Sequence, residues 1–281
     1  MVYELPPLPA LLEQYRDLIA ASVRPYVKIT PIPARDTTLF ESKFGGYPYL
    51  PLGTEYPKDS EGKEMALLAQ INFAEVPPLD PLPRQGILQF YIPYGEGSGS
   101  LIGLDFERPT EQIDWRVIWF PYITYDKAAL ITTFSFLTSR ATKYYPMRKK
   151  HFASAPVLRM IFEIDQHPLV AFTYEFAKLI PRTNSQEEWS EQFSEEELNA
   201  WGEYTETSET LHRGHRLGGY ATFTQFDPRL YVTPAPSFML LQIVSDQYFL
   251  WGDLGIAHLF ISPEDLAARD FSRVYYQWDC Y

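Results

Sequence analysis

Leu67-Leu68-Ala69-Gln70-Ile71 and Met239-Leu240-Leu241-Gln242-Ile243 are two versions of one phrase, an apolar run that ends in glutamine and isoleucine. A second phrase follows each. Gly86-Ile87-Leu88-Gln89-Phe90-Tyr91-Ile92 comes after the first and Gly255-Ile256-Ala257-His258-Leu259-Phe260-Ile261 after the second. A Gly-Gly-Tyr precedes each copy, at Gly45-Gly46-Tyr47 and Gly218-Gly219-Tyr220. Gly46 to Gln70 spans 24 positions and Gly219 to Gln242 spans 23, while Gln70 to Gly86 and Gln242 to Gly255 span 16 and 13. Spacing this nearly constant predicts a duplicated β unit rather than a chance likeness.

In a strand, successive side chains alternate between faces. The pleat is therefore expected to set Leu67, Ala69 and Ile71 on one face and Leu68 and Gln70 on the other, with Met239, Leu241 and Ile243 against Leu240 and Gln242 in the second copy. Both glutamines then face apolar company. An amide left unpaired there costs about 1–3 kcal/mol, so each must find a partner. Neighbouring backbone is one solution; a ligand bound where the two units meet is the sharper one.

Outward from these strands, Leu8, Leu11, Leu12, Tyr15, Leu18 and Ile19 recur at helical spacing and predict an amino-terminal helix packed on a sheet. Residues 44–53 are too rich in Gly and Pro for regular structure, and Val76-Pro77-Pro78-Leu79-Asp80-Pro81-Leu82-Pro83 reads as an extended connection short of amide donors, despite its Pro-x-x-Pro letters. Gly95-Glu96-Gly97-Ser98-Gly99-Ser100 reads as a solvent loop; it lacks the spacing of a phosphate cradle. Strands are expected at 115–123, 157–164 and 169–180, the last two equally able to hold a short helix. Nine acids fall from Ser185 to Glu209, and the capping-box letters Ser185…Glu188 and Ser194…Glu197 predict two short acidic helices. Ser262-Pro263-Glu264-Asp265 opens another helix, and Val274, Tyr276 and Trp278 share one face of a closing strand.

With 281 residues the chain can bury about three quarters of its unfolded surface. Aromatics make up 16% of it, so rings should dominate the packing. A net charge of −12 opposes nucleic acid and anionic membranes and favours basic partners; Arg148-Lys149-Lys150-His151 beside Tyr144 and Tyr145 is the local exception. Cys280 is the single cysteine and no charged-then-apolar leader opens the chain, which points to the cytoplasm. No run of 18 apolar residues is present.

Little in the chain carries chemistry. Asp246 and Asp253 flank a hairpin-like stretch and could divide acid and base roles, with Trp251 stacking on a sugar; fixing turns is the plainer use of both carboxylates. His212 and His215 form His-x-x-His without a third ligand nearby, and His215-Arg216 before Gly218-Gly219 reads better as a polar anchor. Asp227 and Arg229 either pair with each other or cap their loop. Ser60-x-x-Lys63 lacks the companion motifs of a β-lactamase, and Cys280 reads as a small buried residue.

Several stretches resemble the YwqG-like family of bacterial proteins: Ser42-Lys43-Phe44-Gly45-Gly46 with Pro48-Tyr49-Leu50-Pro51, Leu67-Leu68-Ala69-Gln70-Ile71-Asn72, His215-Arg216-Leu217-Gly218-Gly219-Tyr220, Trp251-Gly252-Asp253-Leu254-Gly255 and Trp278-Asp279-Cys280. The chain departs from that pattern at Tyr56, where members often carry tryptophan, and at Ala221, where they often carry proline. The resemblance implies a β-rich α+β fold and supplies no established activity, cofactor or catalytic residue. Some relatives are suspected of neutralising secreted toxins.

The expectation is one compact α+β domain, mainly antiparallel, with an amino-terminal helix over 1–30, β-rich halves over 31–125 and 205–281, and a connecting region with acidic helices over 126–204. The function expected is non-enzymatic binding of a basic protein such as a toxin, without a cofactor, metal, nucleic acid or membrane. The rival is an enzyme or receptor for a small polar ligand such as a carbohydrate, held in a cleft between the halves. Gln70, Gln242, His215, Arg216, Asp246, Trp251 and Asp253 are the candidate ligand-binding residues.

Overall fold

The computed structural model describes residues 3–93, 101–137, 146–147, 157–181, 183 and 187–281. The 95–100 loop, the basic run at 148–151 with Tyr144 and Tyr145, and Ser185 of the first capping box lie outside the described residues.

The strands are β1 (Arg24–Pro33), β2 (Lys43–Gly45), β3 (Ala66–Asn72), β4 (Ile87–Ile92), β5 (Arg116–Phe120), β6 (Val157–His167), β7 (His215–Gly218), β8 (Phe238–Val244), β9 (Ile256–Ile261) and β10 (Tyr275–Asp279). The fold is β-rich. All ten join one antiparallel sheet in the order β10-β9-β8-β7-β1-β6-β2-β3-β4-β5. That order reads alike outward from its middle: β2, β3, β4 and β5 follow β6, and β7, β8, β9 and β10 follow β1. The stretch expected to be a connection thus contributes β6, which pairs with β1 across the centre. Each four-strand run sits on the long strand that precedes the other run in sequence, because β1 pairs with β7 and β6 with β2.

The simple pleat expected for the two glutamine strands is corrected by a bulge in each. Register shifts between Leu67 and Ala69 in β3 and between Met239 and Leu241 in β8. An extra residue lets two neighbours face the same way. Leu68, Ala69 and Ile71 therefore enter the main core together, as do Leu240, Leu241 and Ile243, while Leu67 and Met239 pack into separate clusters. Gly86 and Gly255 open β4 and β9 against the ends of β5 and β10: a Cβ would stand 2.8 Å from the Phe120 carbonyl oxygen at the first and 1.8 Å from that of Asp279 at the second.

The sheet curls until its two ends meet. Phe90 of β4 lies 5.2 Å from Tyr276 of β10, ring centre to ring centre, and Trp119 of β5 lies 5.2 Å from Phe271. Gln112 fastens the closure: its Oε1 accepts from the Val117 amide at 2.7 Å, and its Nε2 donates to the Phe271 carbonyl at 2.7 Å and the Ser272 carbonyl at 3.1 Å. The Tyr276 amide adds a bond to the Pro109 carbonyl at 2.9 Å, so scattered hydrogen bonds rather than a strand ladder join the ends among the described residues.

Helices are few. The amino-terminal helix is a 3₁₀ turn over Ala10–Tyr15 running into α1 (Arg16–Ala21), and it buries Leu12 and Ile19. Those residues share a cluster with α2 (Tyr174–Leu179), α3 (Trp189–Gln192) and α4 (Glu195–His212). Ser194 and Glu197 cap α4 reciprocally, and Ser262 caps α5 (Pro263–Ala268). Among the described residues no helix is long and apolar enough to cross a membrane.

Candidate functional site

Each glutamine strand turns its amide into a closed set of hydrogen bonds. Gln70 Oε1 accepts from the Tyr49 amide and from Gln89 Nε2, both at 2.8 Å, while its Nε2 donates to the Leu39 and Glu41 carbonyls, both at 2.9 Å. Gln89, opposite Gln70 in β4, also donates to the Tyr49 carbonyl at 2.7 Å and accepts from the Tyr91 hydroxyl at 2.8 Å. The second half repeats the plan. Gln242 Oε1 accepts from the Thr222 amide at 3.0 Å and His258 Nε2 at 3.2 Å, and its Nε2 donates to the Gly214 carbonyl at 3.1 Å. His258 occupies the place of Gln89; it donates from Nε2 to the Thr222 carbonyl at 2.9 Å and accepts at Nδ1 from Gln277 at 3.3 Å. Burial, together with the Arg229 and Arg216 charges, pushes its pKa down to about 3, against the Thr222 hydrogen bond, so the ring is neutral. The two glutamines do not meet at a seam, because four strands separate β3 from β8.

A buried cation stands beside each glutamine. Lys43 pairs with Gln70 and Arg216 with Gln242, and both side chains are fully inside. Arg216 lies 5.1 Å from the Tyr26 ring centre and against His167. Lys43 donates from Nζ to the Thr38 carbonyl at 2.6 Å. Burial drives its pKa down to about 8, with Glu41 and Glu75 opposing the shift. The unfolded chain therefore holds this proton more tightly than the folded one, so Lys43 makes stability rise with pH from about 8 toward the ordinary 10.5. Lys43→Met removes that dependence. Urea unfolding should show the parent gaining on the variant by on the order of 2 kcal/mol between about pH 7.5 and 9.5; a constant difference contradicts the assignment.

His215 lies where the halves touch. Its ring is 5.4 Å from Phe44 of β2 and 5.1 Å from Phe249, which in turn lie 4.9 Å apart. Nδ1 accepts from the Val244 amide at 3.2 Å, which assigns the proton to Nε2, 3.2 Å from Asp246 Oδ2. Asp246 also accepts from the Tyr248 and Phe249 amides at 2.7 and 2.8 Å. Burial raises its carboxyl pKa, but His215 and those two amides outweigh burial and hold it below the usual carboxylate range. Trp251 is wholly buried in the main core, so no ring face is open to a sugar. Asp253 is exposed, and its carbonyl accepts from the Tyr281 amide at 3.2 Å. The side chain of His212 lies outside the described residues.

Sequence reading saw Asp227 and Arg229 but missed their setting. Arg229 is 1% exposed and binds Asp227 through Nε at 2.9 Å and Nη2 at 2.6 Å, and Glu175 of α2 through Nη1 at 3.0 Å and Nη2 at 2.9 Å. Arg24 extends this cluster. It reaches Glu175 at 3.4 Å and the Gly219 carbonyl at 2.6 Å, its guanidinium lying 3.5 Å from the Tyr220 ring centre. Gly219, at φ +73°, has to be glycine, because a Cβ would come within 2.5 Å of His167 Nε2, which accepts from the Tyr220 amide at 2.7 Å. A groove of about 220 Å³ opens beside Arg24, between Leu79 and Asp80 of the first half and Gly218, Gly219 and Phe238 of the second. None of the seven candidate residues lines it. Among the described residues no group of three or more His, Cys, Asp or Glu is placed to hold a metal ion.

A ten-stranded antiparallel sheet with a small groove beside Arg24, between its halves, describes a β-rich protein. The family model for a domain of unknown function, DUF1963, matches residues 42–280, and the chain belongs to that family. No curated protein matches it.

Proposed function

We propose that this protein is a non-enzymatic, cytoplasmic binding protein for a basic protein partner such as a toxin. We infer as well that its halves descend from one doubled β unit and that the family is the YwqG-like group of bacteria. The matching bulges, amide sets and glycines support the doubling. What carries the binding reading is the outer surface of α3 and α4: Glu187, Glu188, Glu191, Glu195, Glu196, Glu203 and Glu206 are exposed, and residues 187–206 contain no Lys, Arg or His. A run of like charge steers an oppositely charged partner, an attraction that weakens as salt screens it. A pull-down at low and at physiological ionic strength tests this. The expected partner carries a basic domain, is released by salt, and is lost from Glu203→Lys/Glu206→Lys. No partner at low salt, or one that the double variant retains, overturns the reading.

The groove favours a second reading, a small polar ligand held between the halves. Among the described residues Arg24 Nη1 makes no hydrogen bond, and Arg24 lines the groove. A thermal shift with a panel of sugars and carboxylates that appears in the parent and vanishes in Arg24→Gln would support this alternative; no shift with any of them would remove it.

A further inference from the structure

Strand β6 runs for 11 residues, yet β2 covers only its beginning, pairing Lys43, Phe44 and Gly45 with Arg159, Leu158 and Val157. Consecutive residues of an antiparallel strand direct their N–H and C=O groups to opposite neighbours. The Met160 amide donates toward β2, to the Ser42 carbonyl at 3.2 Å, so the even positions of β6 face that side and the odd positions face β1. Farther along, the Gln166 amide is taken by the Asp165 carboxylate at 2.8 Å. Between these two points the N–H and C=O groups of Phe162 and Ile164 point along the sheet with no strand beside them among the described residues. Ile164 is 46% exposed.

The corresponding overhang on β1 is closed chemically. β7 pairs with β1 only from Tyr26 to Ile29, and the next positions facing that open side are Pro31 and Pro33. Proline has no N–H to offer a new strand, a common way to blunt an edge. One overhang is blunted and the other keeps its donors.

We propose that residues 161–166 of β6 are a docking edge that takes an extended segment of a basic partner as an eleventh strand. This rests on the basic-partner reading and names its site. Strand addition draws affinity from backbone hydrogen bonds and selectivity from alternate side chains. Phe162 and Ile164 share one face, so the incoming residues beside them are apolar; Glu163 and Asp165 share the other, so those beside them are Lys or Arg. A second copy of the chain fits poorly: antiparallel self-pairing centred on Ile164 sets Glu163 against Asp165 of the other copy, on a chain of net charge −12.

Amide exchange read by NMR on the whole protein, with sedimentation alongside, tests the proposal. In the free protein the Phe162 and Ile164 amides should exchange fast while Ile161 and Glu163 are protected. Acetyl-Lys-Val-Lys-Val-Lys-Val-amide should slow the fast pair about tenfold, and its N-methylated form should not. Glu163→Lys, an exposed change that leaves the fold in place, should weaken the peptide about tenfold. Protection of Phe162 and Ile164 in the free monomer, or in a dimer of this chain, overturns the proposal. So does a peptide that leaves both rates unchanged. A basic partner that binds in a salt-dependent way without slowing these two amides removes this edge while the acidic-surface reading stands; peptide protection at the edge with no partner recovered does the reverse.

Discussion

Arg229→Met is expected to lower stability by about 3–5 kcal/mol, read as a fall in the urea midpoint with an unchanged slope. The guanidinium is the shared counter-ion of two carboxylates, Asp227 at 0% and Glu175 at 9% exposure, and methionine leaves both without it. Removing one member of a buried ion network costs far more than the network contributes as a whole, because the remaining charges stay desolvated. The pH dependence carries a second signature. Burial raises the Glu175 carboxyl pKa, but Arg229 and Arg24 outweigh burial and hold it below its ordinary 4.5. In the parent this carboxylate therefore contributes stability that is complete above 4.5 and lost as pH falls through its lower folded value. In the variant burial prevails and the sign reverses, so mild acid should narrow the gap between the two proteins. A gap that stays constant from neutral pH to about pH 4 contradicts this account of the cluster.

Gln70→Ala should cost about 3–5 kcal/mol, and Gln242→Ala a comparable amount. The first leaves the Tyr49 amide and Gln89 Nε2 without their acceptor and the Leu39 and Glu41 carbonyls without their donor, at a site sealed from water. The second strips Thr222, His258 and Gly214 in the same way. Four strands lie between the two sites, so the losses should add to within about 0.5 kcal/mol in the double variant. A coupling well above that value would mean that the two amides serve one shared site. The salt-dependent affinity for a basic partner should be unchanged in whichever single variant remains folded.

Much of the strand content was legible because β-branched and aromatic runs bounded by Gly and Pro have few other solutions. The two glutamine strands, the Ser262 cap and the closing strand were read from such local marks. The bulges were not. Leu68 and Leu240 are apolar whether a strand alternates or slips by one residue, so composition carries no trace of the slip. The crossing of β1 and β6 was hidden for another reason: Tyr26 and Asp165 pair across more than a hundred residues, and periodicity reports only the near neighbourhood. Lys43 had one available signal, its position two residues before a Gly-Gly pair, as Arg216 precedes the other. Glu175 had none, since a single acid at the start of a short helix ordinarily faces water.

The candidate site was harder to read than the fold because buried amides look alike in sequence whether they bind a ligand or the backbone. Only their geometry separates the two cases. Gln70, Gln242 and His215 are hydrogen-bonded inside the protein, which moves the search for a partner from the interior to the exposed glutamates of α3 and α4 and to the open edge of β6. An amide footprint of the protein with its basic partner bound decides between interior and exterior. The account predicts protection at Phe162 and Ile164 and shifts along residues 187–206, with Gln70, Gln242 and His215 unchanged; a footprint centred on Arg24, Gly218 and Gly219 would contradict it.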